Sequence, residues 1–263
     1  HIALTLLHLI KAGVTVRFNE TIIEAAGDPI LDTAILTRLD AAGNVDKSSR
    51  RKLDCDRLGI CFSFLASSEL ARQRGAHCTF SKDSGGWIIT ANEWMGSSVS
   101  GLYIAGEISG VAGAEHAMEE GRLAGLGIAQ QLAKLEQQDA FELSKPVRVR
   151  LARQDKFATL LKKLSYPGDK LLDQLMTGES TLCKCEEISV DDFKNTLVGY
   201  SHINSANAAK LLSRTGMGLC QGRYCQFQIV QMLARETSTP ENDIGPFTAR
   251  FPSKPVRISE LIK

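Results

Sequence analysis

VSGLYIAGEISGVAGAEHAMEEGRLAGLGIA, residues 99–129, is the stretch on which the reading of the fold turns. GLYIAGE, at 101–107, is a compact apolar run that predicts a strand ending in Gly106-Glu107. A loop of small residues follows. From Gly113, the run GAEHAMEEGRLAGLGIAQQLAKLEQQ predicts one long helix to residue 138. Small residues let a backbone approach a ligand closely, and a helix start offers unbonded N–H groups. A ligand seated between such a loop and such a helix start would suit the pattern. A plain strand–loop–helix connection in a sheet protein would carry the same pattern. His116, at a helix start, reads as a hydrogen-bonding structural residue before it reads as a base.

Upstream, Ile2, Leu6, Leu9 and Ile10 recur at helical spacing, and Gly13 ends the run. VTVRFNETIIEAAGD (14–28) predicts strand, turn, strand, and AILTRLDAAGNV (34–45) a strand running into a turn. DRLGICFSFLAS (56–67) predicts a buried strand. SSELARQRG (67–75) predicts a short helix capped by Ser67 or Ser68 and stopped by Gly75. KDSGGWIITAN (82–92) predicts a turn and a strand. Short strands mixed with helices to about residue 138 make the fold class α/β.

Residues 139–182 change character. They are basic, contain Pro146 and Pro167, and read as a linker plus a helix. From 183 to 236 the chain reads as helical, with Ser189 followed by Asp192, and Ser205, as helix starts. The tail from 241 to 263 carries prolines and reads as extended. The predicted division is thus 1–138, 139–182, 183–240 and 241–263.

Composition bounds the function classes. Hydrophobic residues at 43% and charged residues at 23% describe a globular chain, not a disordered one. A formal net charge of +1 gives no footprint for nucleic acid. No apolar run reaches membrane-span length, and HIALTLLHLI lacks the basic flank and cleavage site of a signal peptide. The expected location is the cytoplasm, or the membrane periphery through a complex. A first residue of His, opening straight into a helical pattern, predicts a piece of a longer protein; a native start with a short tail missing is the alternative.

The 7 cysteines are an odd number without a secretory signal, which favours metal binding over disulfides. TLCKCEE (181–187) and GMGLCQGRYCQ (216–226) hold four of them as Cys183-x-Cys185 and Cys220-x4-Cys225. Residues i and i+2 of an extended segment project to one side, so Cys183 and Cys185 can face one centre. Gly216 and Gly218 allow a tight loop before Cys220, and Cys225 stands near a helix start. Backbone N–H groups in such places stabilise thiolates. Four thiolates hold a [2Fe–2S] cluster or a structural zinc ion, and spacing alone does not separate the two. Unrelated core cysteines are the third reading. Cys55, Cys61 and Cys78 stand outside these two close pairs.

LCKCEEISVDDF (182–193) with LLSRTGMGLCQGRYCQ (211–226) resembles the [2Fe–2S] domain of the bacterioferritin-associated ferredoxin class. It is most similar to the version fused to flavoprotein subunits of hydrogen cyanide synthase, opine oxidases and hydroxyproline dehydrogenases. The resemblance is close over 181–236, and FPSKPVRI (251–258) also fits. It implies a [2Fe–2S] cluster on Cys183, Cys185, Cys220 and Cys225. Residues 99–129 resemble the C-terminal FAD motif of thioredoxin-reductase-like flavoproteins. That implies FAD contacts at Gly106, Glu107, Ala114, Glu115 and His116, with Glu107 standing where the family commonly has Asp. The family's G-x-G-x-x-G is absent, so the FAD site is incomplete in this chain. The nicotinamide-type glycine fingerprint is absent too, and CFSFLASSEL (61–70) lacks the proline of the family's turn there.

The resemblance implies a partial two-dinucleotide flavoprotein sheet domain followed by a small all-α [2Fe–2S] domain. It implies the electron-transfer part of a heteromeric oxidoreductase, in which a flavin-containing catalytic subunit oxidises an amine, imino acid or opine-like substrate. The missing N-terminal half, or a companion polypeptide, is the other expected partner. A non-enzymatic four-cysteine metal-binding or iron-handling module is the alternative.

Overall fold

The computed structural model describes residues 2–200, 202–253 and 255–262. In chain order its elements are α1 (Ile2–Lys11), β1 (Glu20–Ala26), β2 (Thr33–Leu39), β3 (Val45–Asp54), α2 (Glu69–Gln73), β4 (Cys78–Ser81) and β5 (Gly86–Ile89). Then come α3 (Ala114–Gln131), α4 (Gln137–Ser165), α5 (Asp169–Leu175), β6 (Thr181–Cys183) and β7 (Ile188–Ser189). The last five are α6 (Val190–Leu197), α7 (Ala206–Ser213), α8 (Gln226–Thr237), α9 (Glu241–Ile244) and α10 (Ile258–Leu261). The chain is a mixed α/β protein. No helix among the described residues is long and apolar enough to cross a membrane.

The elements fall into two compact units. One joins residues 1–61 to 167–177. Its sheet is an antiparallel meander in the order β1-β2-β3, with Glu20 opposite Arg38 and Leu36 opposite Arg51. Thr33, Ala34 and Thr37 of the central strand are buried. Helix α5 docks on the β2–β3 turn: Gln174 Oε1 accepts from Val45 N at 2.9 Å, and Lys170 Nζ donates to Ala42 O at 3.2 Å.

The other unit joins 62–166 to 178–263. Hairpin β4–β5 pairs Phe80 with Trp87 and Cys78 with Ile89. Ala71, Ala76, Ile89 and Ile104 form its small core. Helices α3 and α4 pack through Leu123, Ala124 and Val147 with Met95. Between them, buried Glu119 accepts from Arg150 Nη2 at 2.8 Å and also from Arg122. Phe193, Ile229, Val230 and Leu233 are the fully buried heart of the C-terminal helices.

Those helices lie against the hairpin. Phe227 of α8 stacks on Phe80 at 5.3 Å, and Asn242 Oδ1 of α9 accepts from Phe80 N at 2.8 Å. This grouping cuts the chain differently from the composition-based division. Residues 167–177 join the first unit, and the cysteine-bearing helices share a unit with 62–138.

Several elements depart from expectation for identifiable reasons. The long helix expected over 113–138 stops at Gln131. Ala133 is left-handed at φ 51°, with Ala133 N on Gln130 O and Lys134 N on Ala129 O. That is a Schellman stop built on Ala where Gly is usual. Helix α4 then runs 29 residues straight through Pro146. Pro146 and Glu142 are both exposed, so the carbonyl partner that a proline cannot bond lies on the solvent face of the helix. The run 56–67 forms no strand, and Ile60, Phe62, Phe64 and Leu65 are exposed. The division between the units falls after Cys61, and within the second unit the run meets a neighbouring backbone through Ala66 N on Gly85 O. GLYIAGE contributes an isolated bridge, Tyr103 to Gly96, and the buried Ile104. The C-terminal helices are preceded by a short hairpin, β6–β7.

Candidate functional site

The two cysteine segments meet. Hairpin β6–β7 carries Cys183, pairing it with Ile188, and places Cys185 in its turn. The hairpin leads directly into α6. There Ser189 accepts from Asp192 N at 3.0 Å while Asp192 accepts from Ser189 N at 3.1 Å, the reciprocal cap expected from the sequence. Cys220 lies in the loop after α7, and Cys225 is the residue at which α8 starts.

Side-chain contacts join Cys183 to Cys225 and Cys185 to Cys220. Charge also acts across the pairs, Cys183 on Cys185 and Cys220 on Cys225. Among the described residues, no three His, Cys, Asp or Glu side chains surround a point suited to one metal ion. The thiols stand as two contacting pairs.

The loop glycines have packing reasons. A Cβ on Gly218 would sit 2.3 Å from Cys185 Cβ. Gly216 and Gly222 have φ of +76° and +83°, and a Cβ on either would drive into the ring of Phe247. Phe247 is 2% exposed and belongs to the tail. Its N–H donates to Gln226 Oε1 at 2.7 Å, and its carbonyl accepts from Arg72 Nη1 at 2.9 Å. Gln73 Nε2 donates to Arg250 O at 2.7 Å. The tail therefore straps α2 to the cysteine loop.

Electrostatics differ from thiol to thiol. Burial, then the charge of Cys183, pushes the Cys225 thiol well above its ordinary range. Burial also pushes Cys220 up, but N–H groups of Tyr224, Gly222 and Arg223 and the Cys185 thiol outweigh it, leaving Cys220 lowered. The Cys220 N–H favours the Cys185 thiolate, but the Cys220 side chain, desolvation and neighbouring thiols leave Cys185 raised. Lys210 sits 5.2 Å above the Phe247 ring. Burial, then Arg250, lowers it, while Cys225 and Cys220 hold it up.

At the 106–116 segment, the loop and helix start lie together. Gly106 has φ +89°, and Gly113 starts α3 without a side-chain cap. Glu107, Ala114 and Glu115 are exposed, and His116 is half-buried. Sequence reasoning missed the residue that organises them. Glu120 is buried and accepts from Gly106 N at 2.6 Å and from Ser109 Oγ at 2.8 Å. It also faces His116 Nδ1 at 3.6 Å, while His116 Nε2 meets Asp155 at 2.8 Å. Both ring nitrogens of His116 thus face carboxylates. The available signal was helical spacing, which puts Glu120 on the face of His116, four residues on.

Residues 179–262 match the family described as the sarcosine oxidase A3 domain, and all four paired cysteines lie inside the match. The chain is 27% identical over 247 residues to hydrogen cyanide synthase subunit HcnB of Pseudomonas aeruginosa, covering 94% of this chain and 52% of that protein. It is 34% identical over 173 residues to an opine oxidase subunit from Rhizobium meliloti, covering 66% of this chain and 32% of that one. Among solved structures, L-proline dehydrogenase from P. horikoshii shares the fold, with a TM-score of 0.70 at 19% identity, over 98% of this chain and 48% of that chain. The chain spans about half the length of the HcnB relative it matches.

Proposed function

We propose that this chain is the electron-transfer part of a flavin- and iron–sulfur-dependent heteromeric oxidoreductase. In this reading Cys183, Cys185, Cys220 and Cys225 hold a [2Fe–2S] cluster. The observation that carries it is the meeting of two distant cysteine segments as two contacting thiol pairs. A dinuclear cluster takes two protein ligands per iron, so it fits pairs; a single zinc ion needs its ligands around one point. Backbone donors support the same reading: N–H groups of Gly222, Arg223 and Tyr224 reach Cys220, and Gly216 N reaches Cys183 Sγ at 3.4 Å. They stabilise negative sulfur, which a tetrathiolate cluster requires.

Residues 106–116 fit the edge of an FAD site. Glu120 holds the Gly106–Ser109 loop, and the uncapped start of α3 offers N–H groups to polar flavin atoms. FAD, when bound, exchanges two electrons with substrate or partner, whereas an iron–sulfur centre passes them singly. This chain's share is to position both groups and to exclude water from the buried thiols. Substrate oxidation, on an amine, imino acid or opine-like compound, falls to a flavin-bearing partner. The opine oxidase relative favours that substrate class.

The test is anaerobic preparation of the chain followed by iron and acid-labile sulfide analysis. Iron and sulfide are expected in equal amounts, with the visible absorption abolished or distorted by Cys220→Ser. Stoichiometric zinc without sulfide would refute the cluster and favour a structural metal-binding module.

A further inference from the structure

Exposure sorts the four cysteines into the same pairs as contact does. Cys183 and Cys225 are 1% and 2% exposed, whereas Cys185 is exposed and Cys220 half-buried. Cys183 touches Cys225, and Cys185 touches Cys220. One pair is therefore inside and one outside. On the iron–sulfur reading proposed above, on which this inference rests, each pair serves one iron.

Reduction adds one negative charge, and the two pairs are unequal places to put it. Burial disfavours added charge, which counts against the inner pair. Hydrogen bonds to sulfur and solvent exposure favour the reduced state. The donors are concentrated outside: Gly222, Arg223 and Tyr224 N–H groups on Cys220, and the Cys220 N–H on Cys185. The inner pair has Gly216 N on Cys183 at 3.4 Å and the backbone N–H of Cys225 on its own sulfur. Arg223 adds positive charge on the outer side, its Nη1 donating to the Cys220 carbonyl at 2.9 Å. Lys210 pulls the other way, because it faces Cys225 before Cys220. It is one charge acting on both pairs, set against both exposure and the backbone donors.

We infer that Cys185 and Cys220 hold the iron that accepts the electron, and that Cys183 and Cys225 hold the iron that stays ferric. The balance is simple. A one-electron donor, reduced flavin in a working complex or dithionite in the test, loses one electron. The iron on Cys185 and Cys220 passes from ferric to ferrous. No bond forms or breaks and no proton moves. The exposed side chains of Leu219 and Tyr224 flank this edge.

The experiment uses the full chain, loaded anaerobically with iron and sulfide and reduced with dithionite. Serine, a harder ligand, favours ferric iron and acts most strongly on the iron that changes valence. Cys185→Ser and Cys220→Ser are expected to lower the reduction potential and shift the EPR g values clearly more than Cys183→Ser and Cys225→Ser. A larger or equal effect from the inner pair would overturn the assignment. Should a serine variant load no cluster, proton NMR of the unsubstituted reduced protein decides. Cysteine β-protons on ferrous iron show inverted temperature dependence, and these should show Overhauser contacts to Leu219 and Tyr224. Contacts to Ile229 or Gly216 instead would refute the assignment while leaving the cluster in place. Failure of the unsubstituted chain to load a cluster would sink the iron–sulfur reading itself.

Discussion

Phe247 and Gly222 should be energetically coupled, and the coupling can be sized from the structure. Phe247 is 2% exposed, and its ring fills the space beside Gly216 and Gly222. Phe247→Ala removes a fully buried aromatic side chain, a loss of about 3–5 kcal/mol. Gly222→Ala acts through two separate costs. Its φ of +83° imposes about 1–2 kcal/mol on any L side chain. Its new Cβ would also lie 2.3 Å from Phe247 Cδ2, an overpacking worth a further ~1–3 kcal/mol. In the double variant the ring is gone, so the second cost vanishes and the first remains. The double variant should therefore be more stable than the sum of the singles by about 1–3 kcal/mol. Urea denaturation of the four proteins, followed by circular dichroism and by amide exchange in α8, measures the cycle. Additivity within about 0.5 kcal/mol would mean that the ring does not hold the cysteine loop, and the strap would have to be abandoned.

Other outcomes follow from the same geometry. Arg72→Gln removes a donor to the Phe247 carbonyl, so amide exchange should quicken in residues 247–253 while α6 and α8 stay protected; unchanged exchange in the tail would count against the strap. Ala133→Gly relieves a left-handed alanine at φ 51° and should stabilise the chain by about 1 kcal/mol in a thermal melt, whereas a loss would contradict the Schellman stop. Burial and, after it, neighbouring thiols raise Cys225, and Cys185 is raised as well, so on the proposed iron–sulfur reading cluster loading must expel protons and should weaken as pH falls; uptake independent of pH would argue that the thiols are already ionised. The Arg150 guanidinium, with Arg122, holds Glu119 below its ordinary range. That stability is present above the unfolded carboxylate range and lost as pH falls through the folded one, so Glu119→Gln should flatten the acid limb of a pH–stability profile.

What could be read from the sequence, and what could not, divides along physical lines. The capping pair Ser189 and Asp192, the Ser205 cap of α7 and the turn after β2 all depend on near neighbours, and local spacing reveals them. The cysteine pairs are also local, two residues apart in one segment and five in the other. Their partition into 183 with 225 and 185 with 220 is tertiary, because each contact crosses between the segments. The end of α3 was hidden because Ala133, a good helix former, occupies the left-handed stop. The exposed run at 56–67 looked like a strand because apolarity reports a wish for burial, not the presence of a sheet edge. Glu120 was hidden inside a charged helix face, where a buried carboxylate bonded to Gly106 N and a solvated one have the same letter.

The tail gives the cysteine loop a reason to be rigid. Cys185 packs against Gly218 from one side, and Phe247 packs against Gly216 and Gly222. The tail that carries Phe247 is itself bonded to α2 through Arg72 and Gln73, to α7 through Asn207, and to α8 through Gln226. Those helices converge from distant parts of the sequence, so the loop cannot shift without breaking contacts on several of them. Donors fixed before an electron arrives need no reorientation when it does, as with preorganised dipoles in catalysis. A loop that moved would have to reorder its N–H groups at each transfer. On the electron-transfer reading, the glycines that let Phe247 seat are therefore part of the redox apparatus, although none of them touches the electron.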